Sequence, residues 1–182
     1  MISDKKQIEN FDKIGNLPEA WELSADHLLS ASRILKKHRD NFNPSSLKVG
    51  EEIPDEGKIL ASELMLKGYA VECLLKAVWV KKGNLLAKDG KYIRIKGCGN
   101  HDLIQIAKVV SLEFEDKQID ILKRLSIYIT SAGRYPISVD WNNVKIQRLF
   151  DGGKGIPTYW RIPTDDKLFE DIISIINAEL NK

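Results

Sequence analysis

Residues 57–82 read GKILASELMLKGYAVECLLKAVWVKK, and the spacing inside this stretch decides the fold. Leu60, Leu64, Lys67, Val71, Leu74 and Val78 fall on one side of a 3.6-residue helix. Leu66, Ala70, Cys73 and Ala77 fall on an adjacent side. Two such rows make a stripe wider than a surface helix needs, which predicts the central helix of a bundle. Gly68 and the small residues Ala61, Ala70 and Ala77 would let neighbouring helices approach closely. A glycine inside a helix otherwise costs about 1 kcal/mol relative to alanine.

The pattern continues outward on both sides. Upstream, a helix is expected to begin after Asn16, with Pro18 in its first turn where the missing N–H costs nothing. Trp21, Ala25, Leu28, Leu29, Ser32 and Leu35 form its buried stripe, and it should end near Asp40–Asn43. Residues 43–56, with Pro44, Gly50 and Pro54, read as a connection. The polar opening, residues 1–15, is expected to fray. Downstream, two short runs surround Asp89-Gly90, the signature of a type I′ hairpin. A helix then starts with Asn100 as N-cap and Asp102 in the first turn, burying Leu103, Ile106, Ala107 and Val110. Another runs from Asp116 to about Ser131, burying Ile119, Leu122, Leu125 and Ile129, and Gly133 stops it. A last one opens at Thr164, with Asp165 and Asp166 favouring its positive end, and buries Leu168, Phe169, Ile172, Ile173, Ile176 and Leu180. The expectation is an all-α, up-and-down bundle of about five helices with a small β-hairpin near 85–95. It is one domain over 1–182, with 137–163 as an irregular insertion.

Composition sets the outer limits. The chain has 182 residues, 43% hydrophobic and 30% charged, with 28 Lys+Arg against 26 Asp+Glu and a net charge of +2. That balance fits a globular domain large enough to bury its own core. No run approaches about 18 apolar residues, so no membrane span is expected. The opening lacks an apolar secretory core, and two cysteines 25 positions apart make no disulfide scaffold or zinc ribbon. Both observations point to a cytoplasmic protein. Phosphate loops of the GxxxxGK(S/T) and GxGxxG types are absent, as are HExxH and Cys/His clusters. Neither a metal nor a cofactor is expected.

Three stretches carry more specific information. They are Gly68-Tyr-Ala-Val-Glu72-Cys-Leu-Leu-Lys76-Ala, His101-Asp102-Leu103 at a helix start, and Tyr128-Ile-Thr-Ser-Ala-Gly-Arg134-Tyr135-Pro136 at a helix end. In this order they resemble the HEPN family (higher eukaryotes and prokaryotes nucleotide-binding). The resemblance is to its branch with an E-x-x-L-K-A helix, an HDL helix start and an R-Y-P element. It covers about residues 18–136 plus the last helix. It implies a helical bundle that commonly forms a homodimer and is often encoded beside a minimal nucleotidyltransferase. It also implies, in many relatives, a metal-independent ribonuclease acting in toxin–antitoxin or defence systems. In that family an Arg followed four to six residues later by His, late in the bundle, acts on the scissile phosphate across the dimer. Here Arg134 is followed by no histidine in reach, and the one Arg-x4-His is Arg33 to His38 on the first long helix.

Each candidate has a chemical and a plain structural reading. Histidine is the natural proton-transfer group near neutral pH. His101, beside Asp102 at a positive helix end, either faces a phosphate or fixes the preceding loop. His38, among Lys36, Lys37 and Arg39, also fits a cationic last turn. Glu72 and Lys76 stand four apart among apolar residues, as a structural ion pair or as ligand-facing groups. Arg134, presented at a helix break with Tyr135, either forks onto a phosphate or caps helix carbonyls. Between Lys76 and Lys96 there are seven basic residues against one acidic. Lys81, Lys82 and Arg94, with Trp79 and Tyr92 interleaved, read as a phosphate-backbone surface or as a solvated face. The resulting expectation is a HEPN-like, non-catalytic nucleotide- or RNA-binding or partner-binding module. The alternative is a metal-independent ribonuclease using Arg and His at a dimer interface.

Overall fold

The computed structural model describes residues 4–41, 52, 54–99, 101–135, 140–143, 145–148, 154–155, 160 and 163–182. Its elements are α1 (Asp4–Gly15), α2 (Pro18–Arg39), α3 (Asp55–Lys58), α4 (Leu60–Lys81), β1 (Ala87–Lys88), β2 (Lys91–Tyr92), α5 (Leu103–Val109), α6 (Asp116–Ile127) and α7 (Thr164–Leu180). Further described pieces are a 3₁₀ turn at Trp141–Asn143 and the strands β3 (Gln147–Arg148) and β4 (Lys154–Gly155). The architecture is an all-α bundle carrying a β-hairpin.

Helix α4 is the axis of the bundle. Twelve of its 22 residues are buried, and α2, α5, α6 and α7 all pack on it. That is why its apolar stripe is so wide. A Cβ added at Gly68 would lie 2.5 Å from Ile129 Cγ2 and 3.2 Å from the Leu125 carbonyl, so this glycine admits α6 against α4. Pro18 opens α2, and the basic residues Lys36, Lys37, His38 and Arg39 occupy its last turn, as the dipole favours. The β1–β2 hairpin turns through Asp89 (φ 53°) and Gly90 (φ 72°), and positive φ at both residues is what a type I′ turn demands.

Several expectations need correction. Residues 4–15 are helical rather than frayed, although α1 buries none of its residues. The 57–82 helix is divided at Ile59, with Asp55–Lys58 forming a separate turn after Pro54. Asn100 lies outside the described residues, and Asp102 caps α5 by accepting from the Gln105 N–H at 3.0 Å. A Glu115–Gln118 capping box starts α6. Its buried row is Ile121, Leu122 and Leu125 rather than one including Ile119, which is 36% exposed. The end of α6 slackens into a π-helical turn, Tyr128–Ala132, before Gly133. Asp165 and Asp166 do occupy the first turn of α7, and they are also buried, paired with Arg124 and Lys67 respectively. The 137–163 insertion is described only in pieces. Among the described residues, no helix is long and apolar enough to cross a membrane.

Candidate functional site

Glu72 and Lys76, one turn apart on α4, share a face that looks toward the hairpin and the loop before α5. Lys76 Nζ donates to Glu72 Oε1 at 2.7 Å. The second carboxylate oxygen, Oε2, lies 2.8 Å from His101 Nδ1. A carboxylate can only accept, so this contact puts the imidazole proton on Nδ1 and leaves Nε2 as the exchangeable position. His101 reaches this place because its backbone is left-handed, φ 62°, a conformation that strains any residue with a Cβ. The strain persists because Glu72 on one side and the Asp102 cap on the other hold the turn.

Electrostatics favour ionised partners here. Burial by itself raises the Glu72 carboxyl, but Lys76 and then His101 outweigh it and hold the group below the usual carboxylate range. Burial also pulls Lys76 down, and Glu72 reverses this, leaving the ammonium above its ordinary value. The Lys76 ammonium sits 5.1 Å from the Trp21 ring centroid and 5.3 Å from that of Tyr92, two cation–π contacts.

A cleft of about 250 Å³ opens over this group, lined by Glu72, Lys76, Tyr92, Arg94, Cys98 and His101 among others. A second hollow of about 340 Å³ lies on the far side of His101, against Asp102, Lys123, Ser126, Thr130 and Asn143. The imidazole is thus the seam between the two.

Tyr69 extends this seam towards Arg134. Its ring meets His101 edge-on at 5.6 Å and 80°, and its hydroxyl donates to the Ile129 carbonyl at 3.2 Å. Arg134 Nη2 donates to the same carbonyl at 2.8 Å and to that of Thr130 at 3.3 Å. The π-turn frees these carbonyls, and Tyr69 and Arg134 satisfy them. Arg134 therefore caps a helix end while remaining exposed, and it shares the Ile129 carbonyl with the tyrosine that meets His101. Tyr135 is also exposed, beside the Arg134 guanidinium, and Pro136 lies outside the described residues.

Other sequence candidates lie elsewhere. Lys81 Nζ donates to the Leu180 carbonyl, and Lys82 Nζ pairs with Glu179 at 2.9 Å and also donates to the Val110 carbonyl. Both are thus engaged at the ends of α5 and α7, away from the cleft. Arg33 lines a groove between α2, α4 and α7. His38 sits 3.8 Å from Glu56 near α3. The two do not converge with His101. Cys73 is half-buried, and burial pushes its thiol up to about 11, which suits packing rather than nucleophilic chemistry. Among the described residues, no group of three His, Cys, Asp or Glu side chains could hold a metal ion.

Sequence reasoning missed two sets of residues. Tyr69 and Trp21 flank the site but read as ordinary helix positions. A second ionic cluster is buried beneath α7. There Lys67 bridges Glu63 and Asp166, at 2.8 Å each, and Arg39 pairs with Glu63 at 2.8 Å and Asp166 at 3.1 Å. Trp160 Nε1 donates to Asp166 at 3.1 Å, and its ring packs against both Lys67 and Arg124. Lys67 and Glu63 interrupting an apolar stripe were the available signal.

No family model, no curated protein and no solved structure matches this chain.

Proposed function

We propose that the paired clefts around His101 form a phosphate-reading site, and that the protein is a HEPN-like, non-catalytic module binding RNA or a nucleotide. The observation that carries this reading is the fixed imidazole at the seam of two hollows. Lys76 and Arg94 are cationic groups on one side, Lys123 on the other, and Tyr92 offers a stacking face. Cationic walls with an interleaved ring suit a single strand held by its backbone, with little sequence preference. A homodimer, a minimal nucleotidyltransferase as partner, a place in a toxin–antitoxin or defence system and a cytoplasmic location belong to the same proposal.

The test is fluorescence anisotropy with a labelled single-stranded RNA at several salt concentrations, for wild type, His101→Ala, Arg94→Ala and Arg134→Ala. Binding should weaken as salt rises, and the first two variants should lose about tenfold in affinity, within the range of about 1–3 kcal/mol for removing one base-stacking or base-reading side chain. Wild-type protein that binds no RNA at low salt overturns the reading. Equal affinity in all four proteins does the same.

A second reading, metal-independent RNA cleavage, is favoured by one feature. Glu72 orients His101 as a carboxylate orients a proton-transferring imidazole, with Nε2 left to exchange a proton. Incubation of RNA with the protein in EDTA separates the two readings. Cleavage that disappears in both His101→Ala and Arg134→Ala would make the protein an enzyme, and intact RNA would leave it a binder.

A further inference from the structure

Helix α1 is bound to the rest of the molecule in an unusual way. It buries none of its residues, and Ile8, Phe11 and Ile14 are 44%, 46% and 59% exposed. Its attachment is mainly polar and is aimed at the hairpin, with Ile8 lying over the Gly90 turn. The two Asp12 carboxylate oxygens accept from the backbone N–H groups of Asp89 and Gly90 at 2.8 and 2.9 Å. These are the turn residues with positive φ, whose amides the hairpin itself leaves unpaired. The Asn16 side chain accepts from the N–H groups of Leu86 and Ala87 at 2.8 and 3.1 Å, and donates to the Ala87 carbonyl at 2.8 Å. It therefore pairs with β1 much as another strand would. Gly15 permits this approach, since a Cβ there would lie 2.5 Å from Ala87 Cβ. The Gly15 carbonyl in turn accepts from Trp21 Nε1 at 3.0 Å.

These contacts converge on Lys76. Tyr92, on β2, and Trp21, at the start of α2, are the two rings that hold its ammonium. One is fixed through the hairpin and the other through the Gly15 carbonyl. A two-stranded hairpin of two residues per strand is not stable alone in water. Its wall of the cleft needs an external tie, and the described contacts from α1 supply one.

We infer that α1 is a clasp that sets the shape of the Lys76 cleft, with Asp12 and Asn16 as positioning residues that touch no ligand. Its functional weight rests on the phosphate-reading proposal above, whereas the clasp itself does not. A clasp held by hydrogen bonds rather than buried apolar area is a low-stability unit that opens without unfolding the core.

The test uses the full chain with Asp12→Ala, Asn16→Ala, the double variant, and Asp12→Asn as the conservative replacement. In native-state hydrogen exchange, amides of residues 86–93 should exchange about tenfold faster in the double variant, while those of α4 keep their protection. Affinity for the labelled RNA should fall about three- to tenfold through lost preorganisation, and Asp12→Asn should recover part of it. Unchanged exchange at 86–93 in the double variant overturns the clasp. So does faster exchange with wild-type RNA affinity, provided His101→Ala has lost binding. If wild type binds no RNA, the functional reading fails separately. The clasp is then decided by the reaction rate of Cys98, which lines the cleft, with a thiol reagent in a Cys73→Ser background. A faster rate in the double variant supports the clasp, and an equal rate overturns it.

Discussion

Helix α4 carries the same local pattern twice, Glu63 with Lys67 and Glu72 with Lys76, and the two pairs have opposite fates. Each has its ammonium within hydrogen-bonding distance of its carboxylate, 2.8 Å for the first and 2.7 Å for the second. The first pair is closed: Glu63 is fully buried, Lys67 is 3% exposed, and Arg39 and Asp166 complete a buried quartet, with Lys36 and Asp40 at its rim. The second pair opens onto a cleft, where its further neighbours are His101, which is partly exposed, and two aromatic rings. The buried quartet spends its charges on one another across three helices, so it fixes how α2, α4 and α7 meet. In the open pair, His101 Nε2 has no partner among the described residues, and Lys76, 14% exposed, lines the cleft. The difference between structure and site lies in the surroundings, not in the motif.

The largest effect should come from breaking the closed pair. Asp166→Ala removes one of the two carboxylates that Lys67 and Arg39 share, leaving two buried cations on Glu63 alone, and about 3–5 kcal/mol of stability should be lost in urea denaturation. Glu72→Ala should cost less, about 1–3 kcal/mol, because Lys76 can turn toward water. Equal losses would erase the distinction drawn here.

Acid titration sharpens the same contrast. For Asp166, burial alone would raise the carboxyl, but Lys67 and Arg39 outweigh it and hold the group far below the usual aspartate range. Glu72 is held below its ordinary value too. In the unfolded chain such carboxylates take up protons at about pH 4. The folded state resists until lower pH, so over that window the unfolded state binds more protons and stability falls as pH drops. The stabilisation is fully present above the unfolded values. Asp166→Asn should flatten this acid limb more than Glu72→Gln, with the unfolding midpoint followed from pH 6 to pH 2.

The smallest effect concerns the strained turn. His101→Ala and His101→Gly both remove the imidazole, but only glycine adopts φ 62° freely. The glycine variant should therefore be the more stable by about 1 kcal/mol, while RNA affinity is lost equally in both. A thermal melt of the two proteins decides it, and equal melting temperatures would show that the turn stores no strain.

Much of the bundle was legible because burial imposes a period. The rows on α4, the apolar faces of α5 and α7, Pro18 at the start of α2 and the Asp89-Gly90 turn follow from local rules, and each element stands where those rules put it. Ile119 misled because a twelve-residue helix offers two overlapping apolar rows, and only packing against α4 and α7 chooses between them. Residues 4–15 misled for the opposite reason. Their attachment is mainly polar, through Asp12 and Asn16, and hydrophobic periodicity carries no trace of hydrogen bonds to a hairpin some 70 residues away. Among the site residues, Glu72, Lys76, Arg94 and His101 were visible by type and do line one cleft. Lys81 and Lys82 looked equivalent to them in sequence, yet lie at the end of α4 beside the last turns of α5 and α7.

The sequence by itself determined the main helices that follow residue 17, the hairpin turn at Asp89-Gly90, and that one helix is buried on several sides. Those outcomes depend on neighbours three or four positions away, and such interactions repeat wherever the pattern occurs. Only the tertiary structure decided which Glu–Lys pair is sealed and which is open, that a tyrosine links His101 to Arg134, and that the first helix ties down the hairpin. Charge and hydrogen-bond partners are set by distances across the fold, and residues 16 and 87, or 67 and 166, share no local pattern that would announce their contact.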